Sequence, residues 1–305
     1  MSTPSVFITG AATGIGAGLV SKLANSGWQV FAGYRSSPPE SASWYKHPAV
    51  RPIQCDIAST ELVHKAANLI AQATGNRLDL LINNAGCFTS GGVVEAADLN
   101  AYLQAMDINL YGPLRVIRAC MPLLRHGHYP AGGKGRVINV ASSSTLMTFP
   151  MAAAYTVSKQ AFKTASAHLR LEMAPFEVQV TTLDPGSIAT PMTDNEHKGA
   201  EQWQAIPESL RSQYRHKFID ADELMKRNTR VSAYTPEYFA EIVYRKIITK
   251  KRFRPLYLIG PGTAAMPLLQ RLISLQGQEN IWARLFRREH DIFSPSTGDQ
   301  SILER

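Results

Sequence analysis

The sequence predicts an α/β protein built on a single doubly wound parallel sheet. Three observations carry this. Short β-branched and apolar runs alternate with longer stretches of helical periodicity along most of the chain. Several of the runs are continuously apolar, as strands covered on both faces must be. The first run passes directly into a glycine-rich turn that opens the first helical stretch.

The elements follow in order. Val6 to Thr9 reads as a buried strand, and Gly14 to Ser26 as a helix stopped by Gly27. Val30 to Tyr34 and Val50 to Cys55 are the next two strands, and Thr60 to Thr74 is a helix. Leu78 to Ile82 is a fourth strand, followed by one long helix from Leu99 to Leu124. Arg136 to Val140, a helix from Tyr155 to Met173, and Val178 to Leu183 continue the alternation. Leu256 to Ile259 closes a sheet of about seven strands. Right-handed crossovers then put any ligand at the strand C-terminal ends.

Two segments are additions to this core. The stretch 187–234 is too long for a plain connection and has the length of a lid or binding segment, with Gln202, Trp203, Tyr214, Phe218 and Leu224 as candidates for one lid face. The segment 261–305 forms a C-terminal extension beyond a core domain of residues 1–260. It carries apolar residues at helical spacing: Met266, Leu268, Leu269, Leu272, Ile273 and Leu275.

At 305 residues, 45% hydrophobic and 18% charged, the chain has the makeup of an ordinary globular protein with a sizeable core. Three widely spaced cysteines, Cys55, Cys87 and Cys120, fit neither a disulfide framework nor a metal cluster, so buried free thiols and no metal are expected. No signal-peptide pattern and no membrane-spanning window is seen, and a cytoplasmic protein is expected. The net charge of +8 is concentrated late, with 11 Lys/Arg against 5 Asp/Glu from Arg245 onward. A solvated basic surface is the plain reading, and peripheral membrane contact through the extension the sharper one. No nucleic-acid motif accompanies the charge.

The glycine-rich turn reads Thr9-Gly10-Ala11-Ala12-Thr13-Gly14-Ile15-Gly16. Residues without a Cβ let backbone approach a pyrophosphate, and the helix start offers free N–H groups and the positive dipole end. Asn83-Asn84-Ala85-Gly86 follows the fourth strand, and Asn109 lies in the next helix. Ser142 precedes Tyr155-Thr156-Val157-Ser158-Lys159 by thirteen residues, and Asp184-Pro185-Gly186 with Thr190 follows the sixth strand. This ordered set resembles the short-chain dehydrogenase/reductase superfamily, in its ordinary rather than extended branch. The likeness is good over roughly residues 5–190 and looser to 260. It implies a Rossmann-type domain, a nicotinamide cofactor and hydride transfer between a carbonyl and an alcohol. It also implies cofactor contacts from Gly10, Thr13, Gly14, Ile15, Gly16, Asp56, Ile57, Asn83, Ala85, Gly86, Tyr155, Lys159, Pro185, Gly186, Ile188 and Thr190. Dimers or tetramers through the two long helices are expected on the same ground.

NAD-preferring enzymes place an acid at the end of the second strand, to bind the ribose 2′-OH. Here that strand ends in Tyr34-Arg35, with Ser36 next and Glu40 only beyond two prolines. A guanidinium there suits a 2′-phosphate, so NADP(H) is expected over NAD(H).

Tyr155 and Lys159, at i and i+4, share one helix face. A free tyrosine titrates near 10, and a neighbouring ammonium favours its phenolate. The resemblance implies that Tyr155 is the acid/base, that Lys159 tunes it and holds the ribose, and that Ser142 holds the substrate oxygen. It further implies that Asn109 anchors a relay water. Ser143 is an alternative to Ser142. Met147, Phe149 and Met192, with Phe88, are candidates for an apolar substrate cleft. The stretch after Pro191 and Arg254 to Gly260 resemble the hydroxysteroid and retinol dehydrogenase-like branch, which implies a bulky lipophilic substrate. Two other readings stand beside this one. The first is a non-catalytic NADP(H)-binding sensor, which typically lacks the tyrosine or lysine present here. The second is an NAD-preferring dehydrogenase of a small alcohol.

Overall fold

The computed structural model describes residues 3–89, 91–146, 152–192, 207–210, 233–261, 263, 266–277 and 279–280, and side chains at all of these except 269 and 270. Seven strands form one sheet: β1 (Ser5–Ile8), β2 (Gln29–Tyr34), β3 (Val50–Gln54), β4 (Leu80–Asn83), β5 (Arg136–Val140), β6 (Gln179–Pro185) and β7 (Leu256–Ile259). Their order is β3-β2-β1-β4-β5-β6-β7, and every pairing is parallel. The chain order reverses between β1 and β4, which opens the crevice a doubly wound sheet uses for ligands.

The helices are α1 (Gly14–Asn25), α2 (Thr60–Thr74), α3 (Leu99–Met106), α4 (Gly112–Arg125), α5 (Ala153–Met173), α6 (Pro236–Val243) and α7 (Met266–Leu272). Apolar burial on both faces explains the unbroken strand runs. Val6, Ile8, Val30, Ala32, Leu80 and Ile82 point to one core, with α1 and α6 supplying Leu19, Leu23, Phe239 and Val243. Phe7, Phe31, Leu81, Val137 and Val180 point to the other, against Val63, Ile70, Val116, Cys120 and Phe162 of α2, α4 and α5. The side-chain alternation of a strand is thus present, but both faces are dry.

One expectation needs correcting. The helix read from Leu99 to Leu124 is two helices, α3 and α4, joined by a π-helical turn over Asp107–Tyr111. The turn widens the backbone by one residue while keeping the chain direction, so the periodicity of the flanks hides it. Arg115 spans it, bonding Asp107 Oδ1 at 2.7 Å and the Ile57 carbonyl at 3.2 Å.

The two ends of the long addition lie together. Ile188 pairs with Tyr234, with Ala189 N–H to Tyr234 O at 2.9 Å and Tyr234 N–H to Ser187 O at 3.0 Å. Its interior, including Gln202, Trp203, Tyr214, Phe218 and Leu224, lies outside the described residues. In the extension, α7 packs against the turn Ser143–Leu146, while Leu268, Leu272 and Leu275 are exposed. Among the described residues no helix is long and apolar enough to cross a membrane.

Candidate active site

The crevice between β1 and β4 is built by the glycine-rich turn. Gly10 and Gly14 take left-handed φ of 64° and 56°, which favours glycine. A Cβ on Gly10 would stand 2.7 Å from the Ala85 backbone, and one on Gly16 would strike the Gly10 carbonyl. Thr9 ties this turn to the Asn83–Gly86 motif: its Oγ1 accepts the Asn84 and Ala85 N–H groups, each at 3.1 Å. Asn84 Nδ2 answers with bonds to the Thr9 and Gly10 carbonyls, each at 3.0 Å. Ala11 N–H is fixed to Gly33 O of β2 at 2.8 Å.

Beyond this turn α1 begins with an open N-terminus. Thr13 stands at the N-cap in extended conformation but makes no side-chain cap bond, and the first turn holds no acid. Orphan N–H groups and the helix dipole are therefore left for an anion. Thr190 closes the other side, close to where a Cβ on Gly14 would lie, at 3.0 Å. The residues present thus fit the pyrophosphate of a dinucleotide. At the end of β2, Arg35 and Ser36 are exposed. Arg35 is near enough to the Cys87 thiol to act on it electrostatically.

Several residues expected at the cofactor have side chains engaged within the fold. Asn83 is buried, and its Nδ2 is spent on Asn139 Oδ1 at 2.9 Å. Ile57 is buried against Gly112 of α4, and Ile188 is buried in the core around α6. Asp56 uses Oδ1 to accept the Ala58 N–H at 3.0 Å, fixing the turn after β3. Pro185 and Gly186 end β6 at the mouth of the crevice, where Gly186 N–H bonds Ile259 O at 2.9 Å.

The catalytic candidates converge at the C-terminal ends of β4, β5 and β6. Tyr155 sits in the first turn of α5, half-buried, its ring tilted against Phe88 at 5.1 Å between centroids. Lys159 lies one turn on, buried, with Nζ 5.9 Å from the Tyr155 ring centre and donating to the Val140 carbonyl at 3.1 Å. Burial pulls its ammonium down to about 8, against the pull of the Cys87 thiol and Asp184. A Cβ on Gly86 would stand 3.1 Å from Lys159 Nζ and 2.9 Å from Asn109 Oδ1, so only glycine leaves both room.

Asn109 occupies the π-turn, which aims it inward. Its amide clamps Cys87 in both directions, accepting the N–H and donating to the carbonyl, each at 2.9 Å. It also donates to Ser158 Oγ at 3.0 Å, and Ser158 donates to the Tyr155 carbonyl at 2.7 Å. Asn109 thus makes three protein bonds, two to the Cys87 backbone and one to Ser158 of the tyrosine helix. Ser142 Oγ accepts the Ser144 N–H at 3.1 Å, which leaves its own hydrogen available to donate. Met192 is half-buried beyond Thr190. Met147 and Phe149 lie outside the described residues.

Sequence reasoning missed four residues of this region. Cys87 is not a buried bystander like Cys55 and Cys120: it is half-buried beside Lys159. Burial raises its thiol, and Lys159 and Arg35 oppose this. Ser158 gave a signal only as a letter within Tyr-x-x-x-Lys. Lys163 and Asp184 form an ion pair at 2.5 Å behind Lys159. Among the described residues no group of three metal-ligating side chains occurs.

A dinucleotide crevice at the sheet's reversal, with a Tyr/Lys pair at its mouth, defines a nicotinamide oxidoreductase site. Comparison with known proteins places it. The short chain dehydrogenase family profile matches residues 4–201, and the chain belongs to this family of oxidoreductases. It is 30% identical to mitochondrial D-beta-hydroxybutyrate dehydrogenase of Bos taurus over 72% of this chain and 66% of that one. Identity is 30% to the NADPH-dependent 1-acyldihydroxyacetone phosphate reductase of Schizosaccharomyces pombe, over 84% and 82%. It is 31% to 17-beta-hydroxysteroid dehydrogenase type 6 of Bos taurus, over 73% and 70%. A short chain dehydrogenase of Burkholderia cenocepacia, solved with NADP, superposes with a TM-score of 0.68 at 25% identity, over 97% of this chain and all of that one.

Proposed function

We propose that the protein is an NADP(H)-dependent oxidoreductase that interconverts a carbonyl and an alcohol on a bulky lipophilic substrate. The observation that carries the reaction class is the Tyr155–Lys159 pair, braced by Asn109 through Ser158 and Cys87 at the mouth of an anion-ready crevice.

The bound nicotinamide supplies or accepts the hydride. Gly10 to Gly16 and Thr190 hold its pyrophosphate. Arg35, with Ser36, takes the 2′-phosphate, since the position after β2 that would carry an acid in an NAD enzyme holds no acid. Ser142 donates its hydroxyl hydrogen to the substrate oxygen. Tyr155 gives a proton to that oxygen in reduction and takes it back in oxidation. The Lys159 ammonium favours the phenolate form of Tyr155 and holds the ribose. Phe88, whose ring packs on Tyr155, and Met192 line the substrate side. The lipophilic substrate class is supported by the relatives named for steroids and an acyl-bearing ketone.

The test is turnover of NADPH and NADH against a carbonyl panel running from small aldehydes through retinal to ketosteroids. The expected result is NADPH oxidation on a bulky member and none with Tyr155→Phe. Binding of NADPH without turnover of any member would overturn the reaction and favour a sensor. Faster turnover with NADH would overturn the Arg35 assignment.

A further inference from the structure

Asp184 ends β6 directly before Pro185-Gly186 and is wholly buried. Its Oδ2 accepts from Lys163 Nζ at 2.5 Å. Among the described residues Oδ1 has no hydrogen-bond partner, although the Ser142 backbone N–H acts on the carboxylate. Lys163 divides its ammonium between Asp184 and Thr145 Oγ1, the latter at 3.1 Å, and Thr145 Oγ1 donates to the Ser142 carbonyl at 2.8 Å. Burying the Asp184 carboxylate is a poor way to stabilise a fold, because its desolvation offsets the attraction of the partly exposed Lys163 ammonium. A strand end at this depth is ordinarily apolar. The pair therefore asks for a role.

Its surroundings supply one. Lys163 stands one helical turn beyond Lys159 on α5, so the Asp184 carboxylate lies within electrostatic reach of both ammonium groups. The groups that face Lys159 come from every element around it. They are Asp184 from β6, the Cys87 thiol from the loop after β4, Asn109 from the π-turn, the Val140 carbonyl from β5, and Tyr155 and Lys163 from α5 itself. Asp184 is the one carboxylate among them. We infer that Lys163 and Asp184 are a positioning pair for the catalytic group: Asp184 is the buried counter-charge of Lys159, and Lys163 ties Asp184 to the turn that presents Ser142.

The two single variants then act on Lys159 in opposite directions. In Asp184→Asn, two ammonium groups face each other without a counter-charge, and Lys159 gives up its proton at lower pH. In Lys163→Met, Asp184 has only Lys159 to pair with, and Lys159 keeps its proton to higher pH. In the double variant the two changes cancel. The Ser142 turn loses its tie, the Lys163–Thr145 bond, in Lys163→Met and in the double variant.

The inference rests on the proposed reaction for its catalytic meaning, so the first readout needs no substrate. The full chain, labelled with 13C at the lysine ε-carbon, is titrated by NMR, and Lys159→Arg identifies the Lys159 signal. The expected midpoints move by about one pH unit, downward in Asp184→Asn and upward in Lys163→Met. The double variant takes from Lys159 its counter-charge and its like-charged neighbour together, and its midpoint is expected within about half a pH unit of the wild type. The second readout is kcat on whichever carbonyl compound of the panel the wild type turns over. Here Lys163→Met and the double variant lose about tenfold, with NADPH affinity within about twofold and partial rescue by Lys163→Arg. Midpoints that stay put, or that move the same way in both single variants, overturn the pair's electrostatic role. Wild-type kcat in the folded double variant overturns its hold on Ser142. Opposed midpoints in a protein that turns over nothing leave the pair standing and sink the proposed reaction instead. If either single variant fails to fold, the double variant decides through both readouts.

Discussion

Lys159 is an ammonium kept 4% exposed, with one carbonyl bond and a carboxylate nearby, and burial draws it to about 8. The unfolded chain holds the same proton up to about 10.5. Between those two pH values the unfolded chain binds more protons than the folded one, so this group's contribution to stability rises with pH there. Below about 8 the buried charge costs the cofactor-free fold about 3 kcal/mol, an order-of-magnitude figure. Denaturant unfolding of the wild type and Lys159→Met at pH 7 and pH 10 measures it. The wild type is expected to be the less stable of the two at pH 7, with the gap narrowing at pH 10. A gap that stays constant would mean that Lys159 is not titrating in this range. The second residue-scale prediction concerns Tyr155. Tyr155→Phe keeps the ring against Phe88 and removes only the proton donor. Turnover should fall about a thousandfold with NADPH affinity unchanged, as read by nucleotide fluorescence. The Tyr155–Lys159 pair was legible because its spacing is local, while the roles given to Ser142 and Asn109 came only with the family resemblance. Lys163 and Asp184 were not legible. They meet across 21 positions, through the packing of α5 on β6, and nothing in the string of letters sets that register.

At the scale of elements, the order of strands and helices was readable because each strand is covered twice and so appears as an apolar run. The break in the long helix was not. A π-turn adds one residue without a proline, a glycine cluster or a change of composition inside it, and Asp107 to Tyr111 reads as ordinary helix. Yet this turn is what delivers Asn109 to Cys87 and Ser158. The side chains of Asn83, Ile57 and Ile188 are buried, because alternation along a short segment decides which side chain faces the crevice and which the core, so any contact they make with a cofactor falls to their backbone. The end of β2 is where sequence and structure make the sharpest joint prediction. Arg35 is exposed at the strand end, within electrostatic range of Cys87. Arg35→Ser should weaken NADPH binding by about 2 kcal/mol, or about thirtyfold, while leaving NADH within about threefold. Equal losses for both nucleotides would place Arg35 on the pyrophosphate instead.

At the scale of the molecule, two surfaces bear on self-association. On α3, the π-turn and α5, large apolar side chains face solvent: Leu99 and Leu103 at i and i+4, Tyr111, Val157 and Leu171, each more than half exposed. Singly such residues mean little, but gathered on the long helices they favour a covered face. The opposite edge of the sheet argues against pairing. β7 is the last strand, and Lys246, Lys250, Lys251, Arg252 and Arg254 border a cleft beside it of about 680 Å³. Arg136, buried beneath, bonds the Lys250 carbonyl at 2.6 Å and the Lys251 carbonyl at 2.8 Å, which pins the loop carrying these cations. Two copies joined along β7 would bring these like charges together, a common way for an exposed strand to avoid a partner. The expected assembly is therefore a dimer through the helices rather than a tetramer. Light scattering should give twice the 33.5 kDa chain mass. Leu103→Glu with Val157→Glu should halve it while NADPH still binds, since both side chains are more than half exposed to solvent. A dimer that survives both changes would move the interface off these helices. A wild-type tetramer would show that the basic edge is neutralised by something other than solvent.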